Sequence, residues 1–426
     1  MYKDNFVLKG NIYYSASPKE IKFEENAYLV CVDGISQGVF KKLPEQYSNL
    51  PVLDYGNNMI IPGLIDLHVH APQFAFRGTG MDLELMEWLD RYAFPEETKY
   101  KDLEYADKAY DIFTDCIRKS ATTRAVVFAT VHWEATKLLM DKFDKAGLCA
   151  YIGKVNMDRL GPDNLKEASA DCSLSDTQKF IDSSLNKSER VKPIITPRFI
   201  PACSEELLKK LSNIRNNYNL KVQSHLSENL EEVKIVQSLE PESKFYGDAY
   251  DRYGLFGGSY DCVMAHCVHS NEKEIALMKN RGVFVAHCPE CNANLSSGIA
   301  PLRQYLDAGL NVGLGTDIAG GATESIFSAM VDAIRVSKLR WRLMDQKYAP
   351  ITFAEAFYLG TVGGGKFFGK VGSFEKGYEL DALVLTDENQ PCARENAPID
   401  RLERFAYIRG DMLGIKAKFV KGCQLY

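Results

Sequence analysis

The sequence has no long apolar run that would assign it to the membrane proteins. No segment approaches the ~18 consecutive apolar residues of a membrane-spanning helix. The N-terminal stretch MYKDNFVLKGNIYYS also has no apolar core of the kind found in secretory signals. We therefore expect neither a membrane partner nor secretion.

An excess of positive charge is also absent. The 426 residues include 51 Lys and Arg against 57 Asp and Glu, which gives a formal net charge of −6, and no basic tract stands out. Surfaces that bind nucleic acid are rich in clustered Lys and Arg. The composition therefore argues against a nucleic-acid partner.

The cysteines do not have the spacing of a disulfide framework. There are 11, an odd number, and several lie within apolar runs such as YDCVMAHC and GLCAY. In a chain of this length we interpret them as reduced and mostly buried thiols, which indicates a cytoplasmic protein.

Between residues 63 and 373, apolar strand-like runs alternate with helical stretches. Continuous apolar runs are typical of strands buried on both faces of a parallel sheet. Eight of them predict an α/β fold of the (β/α)8 TIM barrel type, although a large open α/β sheet fits the same pattern. The runs cover residues 63–70, 124–131, 148–156, 192–199, 221–228, 262–269, 283–290 and 311–317.

The two ends of the chain contain shorter strand-like pieces separated by turns. The N-terminal pieces include YLVCVDG, and the C-terminal pieces are LDALVLTD, FAYIRGD and KAKFVKG. Two such ends flanking a barrel would most simply pair with each other. We predict a composite β-sandwich domain of residues 1–62 and 374–426 beside a catalytic barrel of residues 63–373.

Two helix starts are predicted from capping residues. Asp82 is expected to cap a helix that carries Leu85, Trp88, Leu89 and Tyr92 on one face. Ser204 is expected to cap a helix over residues 204–214.

Histidine is scarce, and its placement is therefore informative. The chain has only 7, and His68 and His70 end the first run, so both point to the same side of the strand. His225 lies at the end of the fifth run, His266 in the sixth, and Asp317 at the end of the eighth. The C-terminal ends of barrel strands line the active site, so these residues are expected to meet there.

Four imidazoles and a carboxylate at the strand ends predict a metal site. Such ligands suit zinc or iron(II), and an open coordination position would hold a water molecule. Glu228 lies three residues after His225, close enough to carry a proton. Activated water and a nearby carboxylate together can attack an electrophilic carbon.

Other ionisable residues have weaker predictions. We expect His269 to orient a neighbour, His132 to lie at a helix start or at the rim of the site, and Asp66 to be buried and structural. His287 receives no role. His-Trp-Glu at 132–134 and CPEC at 288–291 faintly resemble the zinc signature of cytidine-type deaminases, but the proline falls inside the cysteine pair.

The order of several motifs resembles the amidohydrolase superfamily of metal-dependent hydrolases over nearly the whole chain. These motifs are PGLIDLHVHAPQ, QSHLSEN, MAHCVH, HCPECNANLSSG, GLGTD and EKGYELDALVL. Within the superfamily, the long HAPQFAFRGTGMDLELMEWLDRYAFPEE, with TPRFIPACSEELL and GLGTDIAGG, is similar to the guanine deaminases. The resemblance implies zinc-dependent deamination of guanine to xanthine and ammonia in purine catabolism.

The resemblance also implies a role for each matching residue. The metal ligands would be His68, His70, His225, His266 and Asp317. Glu228 would shuttle protons, with His266 and Asp317 also catalytic, and the purine would be held by Gln73, Arg198, Phe199 and His225. Cys291 stands where a serine is common in the motif, which leaves its contacts open.

One zinc ion per chain is implied, because the fourth run ends in Thr196-Pro197-Arg198 and lacks the lysine that bridges two metals in many members of the superfamily. A homodimer is implied as well. The nearest alternative is an aminohydrolase acting on a pterin, an adenine derivative or a triazine. A catalytically inactive assembly protein is disfavoured by the full ligand set, and residues 74–99 are a candidate lid whose motion no sequence pattern indicates.

Overall fold

The structure is a computed structural model and describes residues 5–426. Its strands in chain order are β1 (Phe6–Ser17), β2 (Glu20–Val32), β3 (Ile35–Phe40), β4 (Val52–Pro62), β5 (Leu64–His70), β6 (Thr122–Phe128), β7 (Cys149–Gly153), β8 (Val155–Asn156), β9 (Val191–Pro193), β10 (Thr196–Pro197), β11 (Val222–Leu226), β12 (Cys262–His266), β13 (Phe284–His287), β14 (Asn311–Leu314), β15 (Ala382–Leu385), β16 (Ile415–Val420) and β17 (Cys423–Gln424).

The α-helices are α1 (Leu85–Trp88), α2 (Phe94–Thr98), α3 (Leu103–Lys119), α4 (Trp133–Ala146), α5 (Ala170–Ser184), α6 (Glu205–Tyr218), α7 (Leu230–Leu239), α8 (Tyr246–Arg252), α9 (Glu272–Arg281), α10 (Pro289–Asn294), α11 (Leu302–Asp307), α12 (Ile326–Leu343), α13 (Phe353–Tyr358) and α14 (Pro398–Tyr407). Within the described residues, no helix combines the length and the hydrophobicity needed to cross a membrane.

Strands from both ends of the chain form one seven-stranded sheet in the order β17-β16-β15-β4-β1-β2-β3. The two ends meet where β4 and β15 pair antiparallel, with Ile60 opposite Val384. Leu8, Ile60 and Phe419 belong to a separate apolar cluster of this part of the chain. The N-terminal and C-terminal segments therefore pair with each other. The division into two sandwich layers and the boundaries at 62/63 and 373/374 stay predictions, and residues 1–4 lie outside the described range.

One C-terminal piece predicted as strand-like is helical, so that prediction is wrong. FAYIRGD begins inside α14, and Leu402, Phe405 and Ala406 are the buried positions of this helix. Their spacing of three and four residues is that of a helix with one apolar face. Pro398 at the helix start is compatible with the helix because its missing N–H would have no partner there.

Each of the eight predicted runs contains strand structure. The strands form two four-stranded parallel sheets, β5-β6-β7-β9 and β11-β12-β13-β14, and a short β8–β10 pair. At one edge the sheets are linked by a bridge between Ile195 and Val222. At the other edge the Asp317 N–H donates to the His68 carbonyl at 2.8 Å. The α/β architecture is clear, and a single closed barrel stays a prediction because no continuous ladder crosses these edges.

The third and fourth predicted runs are each interrupted. β7 and β8 are separate strands, as are β9 and β10. Two prolines, Pro193 and Pro197, end the pieces of the fourth run, and proline has no N–H to continue a ladder. After Pro197 the chain leaves the sheet, and the next residues, Arg198 and Phe199, line the cavity described below.

The helical stretch after β5 begins at a different residue from the one predicted. α1 begins at Leu85, and Asp82 does not cap it because an N-cap side chain must lie immediately before the first helical turn. The predicted apolar face is present, since Leu85, Trp88 and Leu89 are buried and Tyr92 is half-buried against the core. The helix continues through a π-helical segment, Leu89–Ala93, into α2.

The predicted cap at Ser204 is confirmed. Its side chain accepts a hydrogen bond from the Leu207 N–H at 3.1 Å, and α6 begins at the next residue. Leu208 and Leu211 of this helix are fully buried. A serine in this position satisfies a backbone donor that the helix leaves unpaired.

Two buried basic side chains connect the seven-stranded sheet to the rest of the molecule. Arg124 in β6 donates to both carboxylate oxygens of Asp381, at 2.7 and 3.0 Å. Lys418 in β16 donates to the carbonyls of Ile117, Arg118, Ser120 and Thr122 at 2.9, 3.1, 3.0 and 2.5 Å. These carbonyls lie at and just after the C-terminal end of α3, where a helix favours a cation.

Most cysteines are buried, as predicted. Cys172 and Cys392 are exposed, and Cys116 is half-buried. The cytoplasmic location inferred from cysteine usage stays a prediction.

Candidate active site

Ring nitrogens from two strands, β5 and β11, converge at the C-terminal ends of the parallel sheets. The Nε2 atom of His70 lies 3.2 Å from Nε2 of His68 and 3.2 Å from Nε2 of His225. Two nitrogens that bind one zinc ion at about 2.0–2.1 Å lie roughly 3.1–3.4 Å apart when the angle between them is near tetrahedral. The spacing of these imidazoles therefore fits a shared metal ion.

Asp317 completes the ligand cluster. Its Oδ1 lies 3.2 Å from Nε2 of His68 and 3.5 Å from Nε2 of His70, and its Oδ2 lies 3.7 Å from Nε2 of His266. The five predicted ligands are thus brought together, and all are at least nine-tenths buried except His225, which is partly exposed as a residue.

The backbone is strained where two of these residues lie. His266 has φ of +70° and Asp317 has φ of +49°, a left-handed conformation that non-glycine residues adopt rarely. Such strain persists where the surrounding structure holds it, and it concentrates at functional sites. Here it turns the two side chains into the cluster at the points where their strands have ended.

Hydrogen bonds orient two of the imidazoles. His225 Nδ1 donates to the Arg198 carbonyl at 2.6 Å, and His266 Nδ1 donates to Oδ1 of Asn292 at 3.0 Å. With Nδ1 protonated, Nε2 carries the lone pair that faces the cluster. Asn292 was not predicted, because only the folded chain places α10 beside β12.

The protonation states of His70, His225 and Asp317 also fit a cation site. Burial lowers the pKa of His70 and of His225 well below the usual value, so these rings are neutral. Burial alone would raise the pKa of Asp317, but the neighbouring His68 imidazole holds it well below its usual value, so the carboxylate is ionised. Neutral imidazole and ionised carboxylate are the forms that bind metal ions.

Asp66 lies within β5 and is buried and structural, as predicted. It is fully buried, and its Oδ1 accepts from the backbone N–H groups of His68 and Thr316, both at 3.1 Å. The Thr316 hydroxyl donates to the other oxygen at 2.5 Å. Asp66 therefore joins the strand that carries His68 to the segment that carries Asp317.

Glu228 lies next to the cluster. Its Oε2 is 3.4 Å from Nε2 of His266, and its Oε1 accepts from the Ser297 hydroxyl at 3.2 Å. The thiol of Cys291 lies 3.9 Å from the same oxygen. Burial raises the pKa of Glu228 to about 7, with a smaller contribution from the Asp317 carboxylate. A carboxyl group with this pKa exchanges protons near neutral pH.

The predicted substrate residues line a cavity over the cluster. Gln73, Arg198 and Phe199 form part of its wall, together with Glu228. Four residues of the His/Asp cluster also line it: His70, His225, His266 and Asp317. Leu85, Trp88, Leu89, Glu232, Leu295 and Gly320 form the rest of the wall. The segment predicted as a candidate lid therefore supplies apolar cover for the site, and no motion of it is implied.

Glu97 is a residue near the cavity that the sequence did not predict. Its Oε2 accepts from Nη1 of Arg198 at 2.5 Å, and its Oε1 accepts from Nη2 of Arg198 at 3.0 Å and from Nε2 of Gln73 at 2.8 Å. The only sequence signal for Glu97 was its position at the end of the long motif that closes with AFPEE. That motif does not indicate which of its two final glutamates faces inward.

The remaining histidines lie at the margin of the site or outside it. His269 Nε2 donates to the Ser297 carbonyl at 2.8 Å, so it orients a residue that bonds Glu228. His132 is the N-cap residue of α4, does not line the cavity and belongs to no described group of side chains that could hold a metal. His287 is buried, and its ring nitrogens have no hydrogen-bond partner within residues 5–426.

Comparisons with known proteins agree with this geometry. A sequence profile described as the Amidohydrolase family matches residues 59–417. The guanine deaminase of Dictyostelium discoideum is 38% identical over 410 residues, covering 94% of this chain and 88% of that protein. The human guanine deaminase is 36% identical over 387 residues, covering 87% and 83%. A crystal structure of guanine deaminase from C. acetobutylicum, with guanine bound in its active site, is similar with a TM-score of 0.96 at 45% identity, covering 99% of this chain and 100% of that one.

Proposed function

The chain belongs to the amidohydrolase family, and from that premise we propose that it is a guanine aminohydrolase, which converts guanine and water to xanthine and ammonia. One observation carries the proposal. A single buried cavity brings together the His/Asp cluster, a glutamate placed for proton transfer, and the side chains of Gln73 and Arg198. The guanine deaminases with which the chain shares 36–45% identity support the choice of substrate.

For the fold, we propose that the two parallel sheets are halves of one (β/α)8 barrel over residues 63–373. The seven-stranded sheet would then be the β-sandwich domain of residues 1–62 and 374–426. The links at both sheet edges support the barrel. We also propose that the enzyme acts in the cytoplasm as a homodimer, which the burial of its thiols and the resemblance to guanine deaminases support.

For the metal, we propose one zinc ion per chain, and iron(II) suits the same donors. The ligands would be His68, His70, His225, His266 and Asp317. The nitrogen spacing and the charge states of His70, His225 and Asp317 support this assignment. When bound, such an ion lowers the pKa of water, so that a nucleophile is available near neutral pH.

The cavity wall matches the groups that guanine presents. The guanidinium of Arg198 can donate to the O6 and N7 acceptors of the ring. The amide of Gln73 can both donate and accept, and Phe199 offers a ring face for stacking. Adenine carries an amine donor where guanine has O6, so Arg198 disfavours an adenine-type ring.

In the proposed reaction, water adds to C2 of guanine. Glu228 accepts the proton released by the attacking water and protonates a ring nitrogen, which gives a tetrahedral C2 that carries both hydroxyl and amine. Glu228 then transfers the hydroxyl proton to the amine, and the C–N bond breaks to release ammonia. C2 becomes a carbonyl carbon, and the product is xanthine.

The function is tested by measuring ammonia release and the ultraviolet change with guanine, together with metal analysis of the same preparation. We expect equimolar xanthine and ammonia, about one zinc ion per chain, loss of activity on chelation and recovery on adding zinc. If metal-loaded protein does not deaminate guanine but deaminates a pterin, an adenine derivative or a triazine, the alternative substrate is identified. Protein that binds no metal and turns over none of these rings would support the assembly-protein alternative.

The role of Arg198 is tested by Arg198→Lys, which keeps a cation beside Glu97 but removes the planar pair of donors. We expect kcat/KM for guanine to fall by roughly 10- to 150-fold, the effect of losing a hydrogen bond to a charged donor. Steady-state kinetics with guanine and adenine would measure this, with melting temperature and metal content as controls. An equal loss for both rings would contradict a role in recognising the guanine edge.

A further inference from the structure

Glu97 stands behind the cavity wall and bonds only residues that form it. Within residues 5–426, the hydrogen-bond partners of its carboxylate are Arg198 and Gln73. Both partners line the cavity, whereas Glu97 does not. All three side chains are almost completely buried, with exposed fractions of 2%, 3% and 2% for Glu97, Arg198 and Gln73. Both oxygens of Glu97 accept hydrogen bonds only from side chains that line the cavity, which indicates a role in the site rather than in packing alone.

The ion pair leaves part of the Arg198 guanidinium available to a ligand. Of its five N–H donors, the described hydrogen bonds use one on each terminal nitrogen, both toward Glu97. The guanidinium carbon also lies 5.0 Å from the ring centre of Phe94, which helps to fix its plane. Arg198 can therefore offer donors to a purine from a fixed position.

Glu97 fixes Gln73 in the same way. Nε2 of Gln73 donates to Glu97, and Oε1 of Gln73 accepts from the Ala319 N–H at 3.2 Å. The two ends of the amide are thus distinguished, and one N–H and one lone pair remain for the ring. The Glu97 carboxylate thus sets the orientation of both Arg198 and Gln73.

The charge of this arrangement has a consequence for the product. A buried guanidinium without a counter-ion would give the cavity wall a positive charge and attract anions strongly in a low-dielectric site. Deamination replaces the 2-amino group by a carbonyl, and the resulting dione ring is more acidic than guanine. The product therefore becomes partly anionic at mildly alkaline pH, while guanine stays neutral.

We propose that Glu97 makes the cavity selective for uncharged purine rings, so that the donors of Arg198 serve guanine without retaining anionic xanthine. This inference rests on the proposed function for the identity of the two rings. Glu97 acts through Arg198 and Gln73 and is a positioning residue. Its carboxylate has two separable effects: its charge cancels that of Arg198, and its geometry orients both partners.

Two substitutions separate charge from geometry. Glu97→Gln removes the charge and nearly keeps the shape, so we expect the inhibition constant of xanthine at alkaline pH to tighten about tenfold or more, and release of product to slow kcat. Glu97→Asp keeps the charge and shortens the reach, so we expect a higher KM for guanine, a nearly unchanged kcat and unchanged xanthine inhibition. Equal effects of the two variants on xanthine inhibition would mean a merely structural role and would overturn the proposal.

Glu96→Gln is the matched control. Glu96 is the adjacent buried glutamate, but it bonds Lys99 and Tyr105 and does not line the cavity. We expect this variant to match the unsubstituted enzyme in KM for guanine and in xanthine inhibition. A change of xanthine inhibition as large as that of Glu97→Gln would overturn the assignment to Glu97.

Equilibrium binding to the Glu228→Gln holoenzyme, which lacks the cavity carboxyl that titrates near pH 7, tests the selectivity even if Glu97→Gln does not fold. We expect the affinity for xanthine to fall as pH rises through the ionisation of that ring, relative to hypoxanthine, which has a single carbonyl and stays neutral over the same range. A constant or rising relative affinity would overturn the proposal. Because this measurement needs no turnover, failure to deaminate guanine would refute the proposed function separately.

Discussion

Glu228→Gln is expected to retain the metal and to lower kcat for guanine by roughly 10²- to 10⁴-fold, the usual contribution of a general acid–base group. The amide is nearly isosteric and can still accept the hydrogen bond from Ser297, which lies 3.2 Å from Oε1. It cannot take a proton from water or return one to the leaving amine. The loss should therefore appear in kcat rather than in KM.

Single-turnover kinetics and metal analysis of the same samples would measure this effect. Glu96→Gln again serves as the control, because it makes the same chemical change at a buried glutamate outside the cavity. A Glu228→Gln variant with full metal content and more than a tenth of the normal kcat would assign proton transfer to another group.

Arg124→Met is expected to destabilise the protein by about 3–5 kcal/mol, because it leaves a buried charge without its partner. The side chain of Asp381 is fully buried, and that of Arg124 is 5% exposed. In this variant the Asp381 carboxylate would lose both hydrogen bonds from Arg124 and would keep the one from the Lys421 N–H at 2.7 Å. The ion pair holds the pKa of Asp381 below its usual value against burial, which alone would raise it.

Denaturant unfolding followed by both fluorescence and circular dichroism would measure the change and test whether unfolding is two-state. The double variant Arg124→Met/Asp381→Leu should recover part of the loss, since it buries no unpaired charge. Lys9→Met breaks a pair at the surface, with Asp54 half-exposed, and should leave the unfolding midpoint unchanged. A midpoint for Arg124→Met equal to that of Lys9→Met would show that the buried pair is dispensable.

The parts of the fold with simple sequence periodicity were predictable. The eight strand regions were evident because parallel strands buried on both faces are apolar throughout. Their interruptions were less evident, because Pro193 and Pro197 lie in runs that are otherwise apolar. FAYIRGD is too short, at seven residues, for a helical period to be distinguished from an alternating one. The helical period becomes visible only when the preceding residues of α14 are included.

The site divides in the same way. His68 and His70 were predictable as neighbours because residues two apart on a strand share a face. The purine contacts proposed for Arg198 and Gln73 came only from the resemblance to a known family, because no spacing rule relates them. Glu97 and Asn292 were missed, since each acts on a residue from another element, 101 positions away for Glu97 and 26 for Asn292.

Arg124 and Lys418 link the C-terminal segment to residues 117–124, and these links have a consequence for synthesis on the ribosome. Asp381 follows Arg124 by 257 residues, and Lys418 follows the carbonyls that it bonds by 296 to 301 residues. At 5–20 residues per second, roughly 10–60 s pass between translation of these partners. All the residues proposed to bind metal and substrate are made within that interval or before it. A nascent chain thus carries every residue proposed for the site before the buried guanidinium has its carboxylate partner.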